Sequence, residues 1–401
     1  MTAPLPAPGA DAVDDAGRAP DHTLRAGLVA GGAYALIGWR GLLVPSLILL
    51  VEPAFDQTDA GLGAYFLVTA LAYAVGSLFG GRLIRARGVR VILPSAALLM
   101  AAGLLTQGFT GTWPVFALAG IVVSLGASTA DVGINALVLD LFPDARGRAL
   151  NLLHVAYGAG ALTAPLLLAF LVGAGVPWPW LMAGTGVAVL VAAAALALTL
   201  PTTPVRIEPA RDREGTATGT RRLPRFLLVM ALATGCYVAA EAGVSDWLVR
   251  YLHTLPFTLA STALTLFWGG IAAGRLVFAR IGNRLEPQAT ASVLAIAGAF
   301  LLAVAVLVPV SPVSPVLFGA VGLAFGPIFP LIVAGAGGRM PGRSATVTGT
   351  LIFAAVVGAV IYPPAVGFMS VTVGLQVAMG GAAVLAFACG IAAWTARRVG
   401  A

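Results

Sequence analysis

Apolar residues in this 401-residue chain fall in blocks of roughly twenty, divided by short polar stretches. A helix rising about 1.5 Å per residue needs that length to cross about 30 Å of hydrocarbon. The blocks run over 27–51, 60–81, 90–109, 114–141, 147–173 and 178–200, then over 226–251, 258–281, 288–308, 313–336, 345–368 and 373–396. Between the two sets lies the longest internal polar stretch, from Pro201, with Arg206, Glu208, Arg211, Asp212, Arg213, Glu214, Arg221, Arg222 and Arg225. No water reaches backbone groups inside a bilayer, so each block must bond its own amides, which predicts helices. The pattern therefore predicts an all-α membrane protein of twelve transmembrane helices: a tail over 1–25, six helices over 26–200, a linker over 201–225 and six helices over 226–401.

Composition strengthens this. Hydrophobic residues make up 59% of the chain and charged residues 10%, with mean hydropathy +0.96. A soluble domain carries about 25% charged residues. The tail is rich in Pro, Ala and Asp and lacks the basic start and short apolar core of a signal peptide, so it reads as a disordered cytoplasmic segment. Cys236 and Cys389 lie far apart inside apolar blocks and read as small packing residues.

The net charge of +7 does not mark a nucleic-acid surface, because the arginines sit in alternate loops. Arg82, Arg85, Arg87 and Arg90 follow block two, and Arg146 and Arg148 follow block four. Arg280 and Arg284 follow block eight, Arg339 and Arg343 follow block ten, and Arg397 and Arg398 close the chain. The opposite loops hold Glu52, Asp56 and Asp59, with Arg250 as the exception. Positive loops stay inside, so both termini are expected in the cytoplasm. Gly81-Arg82-Leu83 with Arg85 and Gly88 closes block two, and Gly274-Arg275-Leu276 with Arg280 and Gly282 closes block eight. The same signal at the same place in each half predicts a parallel repeat of two six-helix lobes.

Charges inside a membrane must face a partner or a water-filled cavity. Arg40, Asp131, His154 and Glu241 are therefore the informative positions. Asp131 and Asn135 share one helix face, as do Asn151 and His154, and all four lie in the inner half of the membrane. A carboxylate, two amides and an imidazole at one level suit hydroxyl-rich solutes, and a carboxylate can carry a proton. Pairing of Arg40 with Asp131 is expected, either as a switch or as a structural bridge. Asp246 and Trp247 read as anchors near the outer interface. Asp140 and Asp144 read as a loop network with Arg146 and Arg148. Tyr34, Trp39, Tyr157, Tyr237 and Trp268 are candidates to stack on a sugar ring.

The chain resembles the major facilitator superfamily along essentially its whole length. That family carries a Gly-x-Leu-x-Asp-Arg-x-Gly-Arg-Arg pattern after helix two, where this chain reads Gly81-Arg82-Leu83-Ile84-Arg85-Ala86-Arg87-Gly88-Val89-Arg90. Arg85 replaces the usual acid, so Gly81, Arg82, Arg85, Gly88 and Arg90 make a gating loop without that carboxylate. Asp131-Val-Gly-Ile-Asn135, Asn151 to His154 with Tyr157 and Pro165, Tyr237 to Glu241 with Trp247, and Gly322 to Pro330 are similar to the fucose permease and sodium–glucose-transporter-like branch of sugar symporters. Carriers of that branch can place an acid beside the proline of helix one; here Arg40-Gly41 precedes Pro45. The resemblance implies a pseudo-two-fold arrangement of the lobes, with helices one, four, seven and ten lining a central cavity. It also implies solute contacts from Asn135, Asn151, His154, Tyr157, Tyr237, Glu241 and Trp268, and ion coupling through Asp131, Arg40 and Glu241.

These features together predict a secondary transporter taking up a small polar solute, a sugar, by proton-coupled alternating access, with sodium as the alternative coupling ion. Export of drugs or metabolites by proton antiport is the second reading; helix four lacks the arginine of such exporters, and Gly160-Ala-Leu-Thr-Ala164-Pro165 matches their helix-five pattern only in part. A membrane sensor that moves nothing is the third. Neither a metal-ligand cluster, a nucleophile–base pair nor a phosphate-binding loop is apparent, so no enzyme and no cofactor is expected. The expected setting is the bacterial inner (plasma) membrane, as a monomer whose partners are solute and lipid and no nucleic acid.

Overall fold

The computed structural model describes residues 11–200, 223–281, 284–308, 310–340 and 342–399. Twelve helices among them are long and apolar enough to cross a membrane. They are α1 (Thr23–Ala54), α2 (Asp59–Arg87), α3 (Val89–Phe109), α4 (Trp113–Leu141), α5 (Pro143–Gly173), α6 (Trp178–Thr199), α7 (Arg225–Tyr251), α8 (Phe257–Ile281), α9 (Pro287–Leu307), α10 (Ser314–Arg339), α11 (Thr346–Val373) and α12 (Leu375–Ala396). This is a multi-pass membrane protein. The linker, up to residue 222, and Gly282 lie outside the described residues, as do residues 1–10 of the tail. Residues 11–25 depart from expectation: helical backbone begins at Asp11 and runs into α1. Alanine has the strongest helix propensity and aspartates favour a helix N-terminus, and Ala12, Ala16, Ala19, Asp11 and Asp14 supply both.

The repeat read from the arginine motifs is present in the packing. In the first six helices, α1 packs on α5 and α6, α2 on α4, and α3 on α4 and α6. In the second six, α7 packs on α11 and α12, α8 on α10, and α9 on α10 and α12. Each pair recurs six helices on, as two lobes of one topology require. The lobes meet along α2 with α11 and α5 with α8, and α1 also touches α7.

Proline interrupts the helices that face the centre. Pro45 has no amide hydrogen to give the Gly41 carbonyl, and α1 breaks there, with Leu42 N–H bonding back to Trp39 O at 3.2 Å. In α10, helix stops at Phe325 and resumes at Ile328, across Gly326 and Pro327. Broken backbone at membrane depth is tolerated where it lines a cavity or is buried in protein. Gly88, at φ +79°, turns α2 directly into α3, a backbone conformation that a side chain would strain.

Candidate functional site

The lobes are joined at the end of the molecule that bears the acidic loops. Arg250, at the end of α7, pairs with Glu52 of α1 at 2.6 Å and with Asp59 of α2 at 2.9 Å. Beneath this bridge Trp247 is fully buried, its ring edge-on to Phe66 of the other lobe at 5.6 Å, and its indole N–H donates to Pro363 O at 2.7 Å. Trp247 is therefore an interlobe core residue, and the interfacial anchor expected from sequence is corrected. α2 and α11 touch backbone to backbone: a Cβ added at Gly63 would lie 2.8 Å from Pro364 O.

Toward the arginine-bearing end the lobes part around a cavity of about 890 Å³. Asn151, His154 and Tyr157 of α5 face Glu241, Ser245 and Asp246 of α7, Trp268 and Arg275 of α8, and Pro330 and Val333 of α10 across it. Asn151 and His154 are exposed there. The Trp268 indole donates to Ser245 Oγ at 3.0 Å, which fixes its ring on the wall. Arg275 Nη2 stands 3.9 Å from Glu241 Oε1, while its Nε–H donates to Gly326 O at 3.2 Å, in the break of α10.

A smaller chamber of about 300 Å³ lies deeper, under the closed end. Gly41, Tyr157, Ala242 and Asp246 line both spaces and form the neck between them. Arg40 lines this chamber, and its Nη2 donates to Ser124 Oγ at 2.6 Å. Tyr65, Thr69, Tyr73 and Gln107 complete its polar wall.

Asp131 sits one layer behind these walls and accepts three side-chain hydrogen bonds: Tyr34 at 2.8 Å, Asn135 at 2.8 Å, and Tyr73, whose ring also lines the chamber. Tyr34 in turn packs against His154 and Tyr157, with ring centroids 5.7 and 5.5 Å away. Through Tyr34 and Tyr73, Asp131 is tied to residues that line both spaces.

The sequence-derived residues divide on this geometry. Asn151, His154, Tyr157, Glu241 and Trp268 come together on the main cavity, and Arg40 lines the chamber. Asn135 spends its amide on Asp131 and Tyr34 and lines neither space. Tyr237, 1% exposed, packs on Phe325 behind Glu241. Trp39 bonds Thr185 at 3.1 Å inside its own lobe. The expected Arg40–Asp131 pair is absent among the described residues, because three neutral donors already enclose Asp131. The expected gating loop shrinks to the Gly88 turn: Arg82 and Arg85 lie on the last turns of α2 and Arg90 on the first turn of α3, all three exposed and none in an ion pair among the described residues. Sequence reasoning missed three site residues. Arg250 was visible as the one base among acidic loops, Arg275 as an arginine two turns inside a span, and Asp246 as a carboxylate one residue from Ser245.

A model of the Major Facilitator Superfamily matches residues 28–355. Among curated proteins the chain is similar to sodium-dependent glucose transporter 1 of Rattus norvegicus, 31% identical over 112 residues, which is 28% of this chain and 23% of that protein. The Xenopus laevis protein of the same name is 23% identical over 261 residues, 58% of this chain and 53% of its own length. The chain thus spans about half the length, or less, of these relatives. Among solved structures, a bacterial homologue of the human lysosomal transporter Spinster, inward-facing and unoccupied, superposes with TM-score 0.76 at 14% identity, covering 94% of this chain and 97% of the other. The E. coli fucose:proton symporter FucP gives TM-score 0.60 at 18% identity, covering 94% and 98%. At such identities the likeness is one of fold.

Proposed function

This chain belongs to the Major Facilitator Superfamily, and on that footing we propose that it is a proton-coupled symporter carrying a small hydroxylated solute of the sugar class inward by alternating access. It is a transporter, by family and by fold, and not an enzyme. The observation that carries the finer reading is the cavity between the lobes, bridged shut by Arg250 at one end and lined with hydroxyl, indole, imidazole and carboxylate groups toward the other. Arginine-rich loops at that second end support a cytoplasmic orientation for it, and on this reading the described state faces inward. The bacterial inner membrane is the corresponding location.

Protons are the proposed coupling ion, with Asp131 as their carrier: a lone carboxylate enclosed by hydroxyls can exchange a proton through them. Sodium prefers several hard oxygens at once. The sugar class follows from the sodium-dependent glucose transporters and the fucose:proton symporter among the similar proteins. Uptake into proteoliposomes under an acid-outside gradient, then under sodium alone, tests this with a panel of labelled sugars and organic acids. Gradient-driven accumulation that Asp131→Asn abolishes, with exchange across the membrane retained, is the expected result. Accumulation driven by sodium alone overturns the proton assignment, and proton-driven efflux of preloaded solute overturns the direction.

A further inference from the structure

Arg40 and Asp246 face one another's space across the deeper chamber, and their charges bear on what fills it. Arg40 presents a fork of N–H donors. Among the described residues its one side-chain hydrogen bond goes to Ser124, and no carboxylate stands within ion-pair distance of it. Nothing else positively charged lines that chamber, and Tyr65, Thr69, Tyr73, Gln107 and Tyr157 share its wall. A guanidinium fork opening into such a space is matched by a planar carboxylate, which takes two parallel hydrogen bonds. We propose that Arg40 receives a carboxylate of the solute, so that the cargo is a hydroxylated monocarboxylate, a sugar acid, rather than a neutral sugar. This rests on the transporter reading and narrows its substrate class.

Charge counting adds the coupling. Without solute, Arg40 and Asp246 balance within the chamber. A solute carboxylate on Arg40 leaves Asp246 as an excess buried charge, which is costly. One proton restores neutrality: it enters by way of Asp131 and the Tyr73 that bonds it, is held by the Asp246 carboxylate while the solute is bound, and leaves with the solute on the other side. The charged and titratable groups facing Asp246 are Arg40 from α1, Tyr65 and Tyr73 from α2, Tyr157 and His154 from α5, and Arg275 from α8, with Glu241 on α7 itself. Anion and proton together carry no charge, so uptake is electroneutral. Symport of a neutral sugar with a proton would instead move one positive charge.

The full chain in proteoliposomes decides this, with labelled D-glucuronate, D-galacturonate and D-gluconate set against D-glucose, D-galactose and L-fucose. An acid-outside gradient is imposed with the membrane potential clamped by potassium and valinomycin, either at zero or inside negative. The expected result is accumulation of a sugar acid at a rate the potential leaves unchanged. Arg40→Gln should lower it by about ten- to a hundredfold, the loss of charged hydrogen bonds, while Arg40→Lys keeps part of it. Asp246→Asn should abolish accumulation yet keep exchange of preloaded acid, and melting curves confirm that each variant folds. If a neutral sugar accumulates, faster at negative potential, and the acids do not compete, the substrate class is wrong while the transporter reading stands. If no solute crosses in either direction, both fail together.

Discussion

Arg275 donates its Nε–H to the carbonyl of Gly326, four residues ahead of Pro330. In an unbroken helix that carbonyl would accept from the amide of residue 330, which proline lacks. The arginine supplies the missing donor, and its Nη2 faces Glu241 from the same position. One side chain thereby ties α7, α8 and the broken α10 together on the cavity wall.

Removing Arg275 strands two groups, the Glu241 carboxylate and the Gly326 carbonyl. Arg275→Gln is therefore expected to melt at a lower temperature in detergent than the parent. Adding Glu241→Gln should recover part of the loss, since an unpaired buried charge is worse than two neutral amides. A double variant less stable than both single ones would show that the pair does not interact.

Arg250 holds the closed end through two carboxylates on the other lobe. Partly exposed pairs are each worth up to about 1 kcal/mol, so losing both in Arg250→Gln should shift the balance toward the outward-open state by up to about thirtyfold. Spin labels on Glu52-side and Arg250-side loop positions, in a variant without Cys236 and Cys389, report the shift as longer distances at that end. Unchanged distances would contradict the latch.

Gly63 and Gly367 let α2 and α11 meet without side chains between them. Gly63→Val puts methyl groups where Pro364 O and the Gly367 Cα now lie. The lobes must then separate at the closed end, and the same distance measurement should show it, with uptake falling because the inward-facing state is less populated.

Tyr34 and Tyr73 both donate to Asp131. Tyr34→Phe and Tyr73→Phe should each lower stability by about 1.5–3 kcal/mol, the usual worth of a hydrogen bond to a charged acceptor. Denaturant titration in mixed micelles measures this, and a neutral result for both would mean that Asp131 is satisfied by Asn135 alone.

The spans were legible because hydrocarbon enforces length and polarity on every helix, and the arginine motif exposed the repeat. Cavity residues were legible where a polar side chain occurs on an apolar helix that faces the centre, as with His154, Glu241 and Trp268. Partnerships were not. Spacing along one helix places Asp131 and Asn135 on one face, but it does not say that Tyr34 and Tyr73 of two other helices will reach Asp131 before Arg40 does. Arg275 stood inside block eight as part of the repeat motif, and nothing along that block says that its partners are Glu241 of α7 and Gly326 of α10. Asp246 and Arg250 were not legible because what they meet lies on other helices: Glu52 and Asp59 take Arg250, and Arg40 of α1 shares a chamber with Asp246.

Solute-driven proton movement tests coupled transport most directly. Proteoliposomes without any imposed gradient, in weak buffer, receive solute from outside while external pH is followed. The account predicts alkalinisation that begins with solute entry, matches it in amount, and vanishes in Asp131→Asn. Solute entry with no change in external pH would contradict proton coupling.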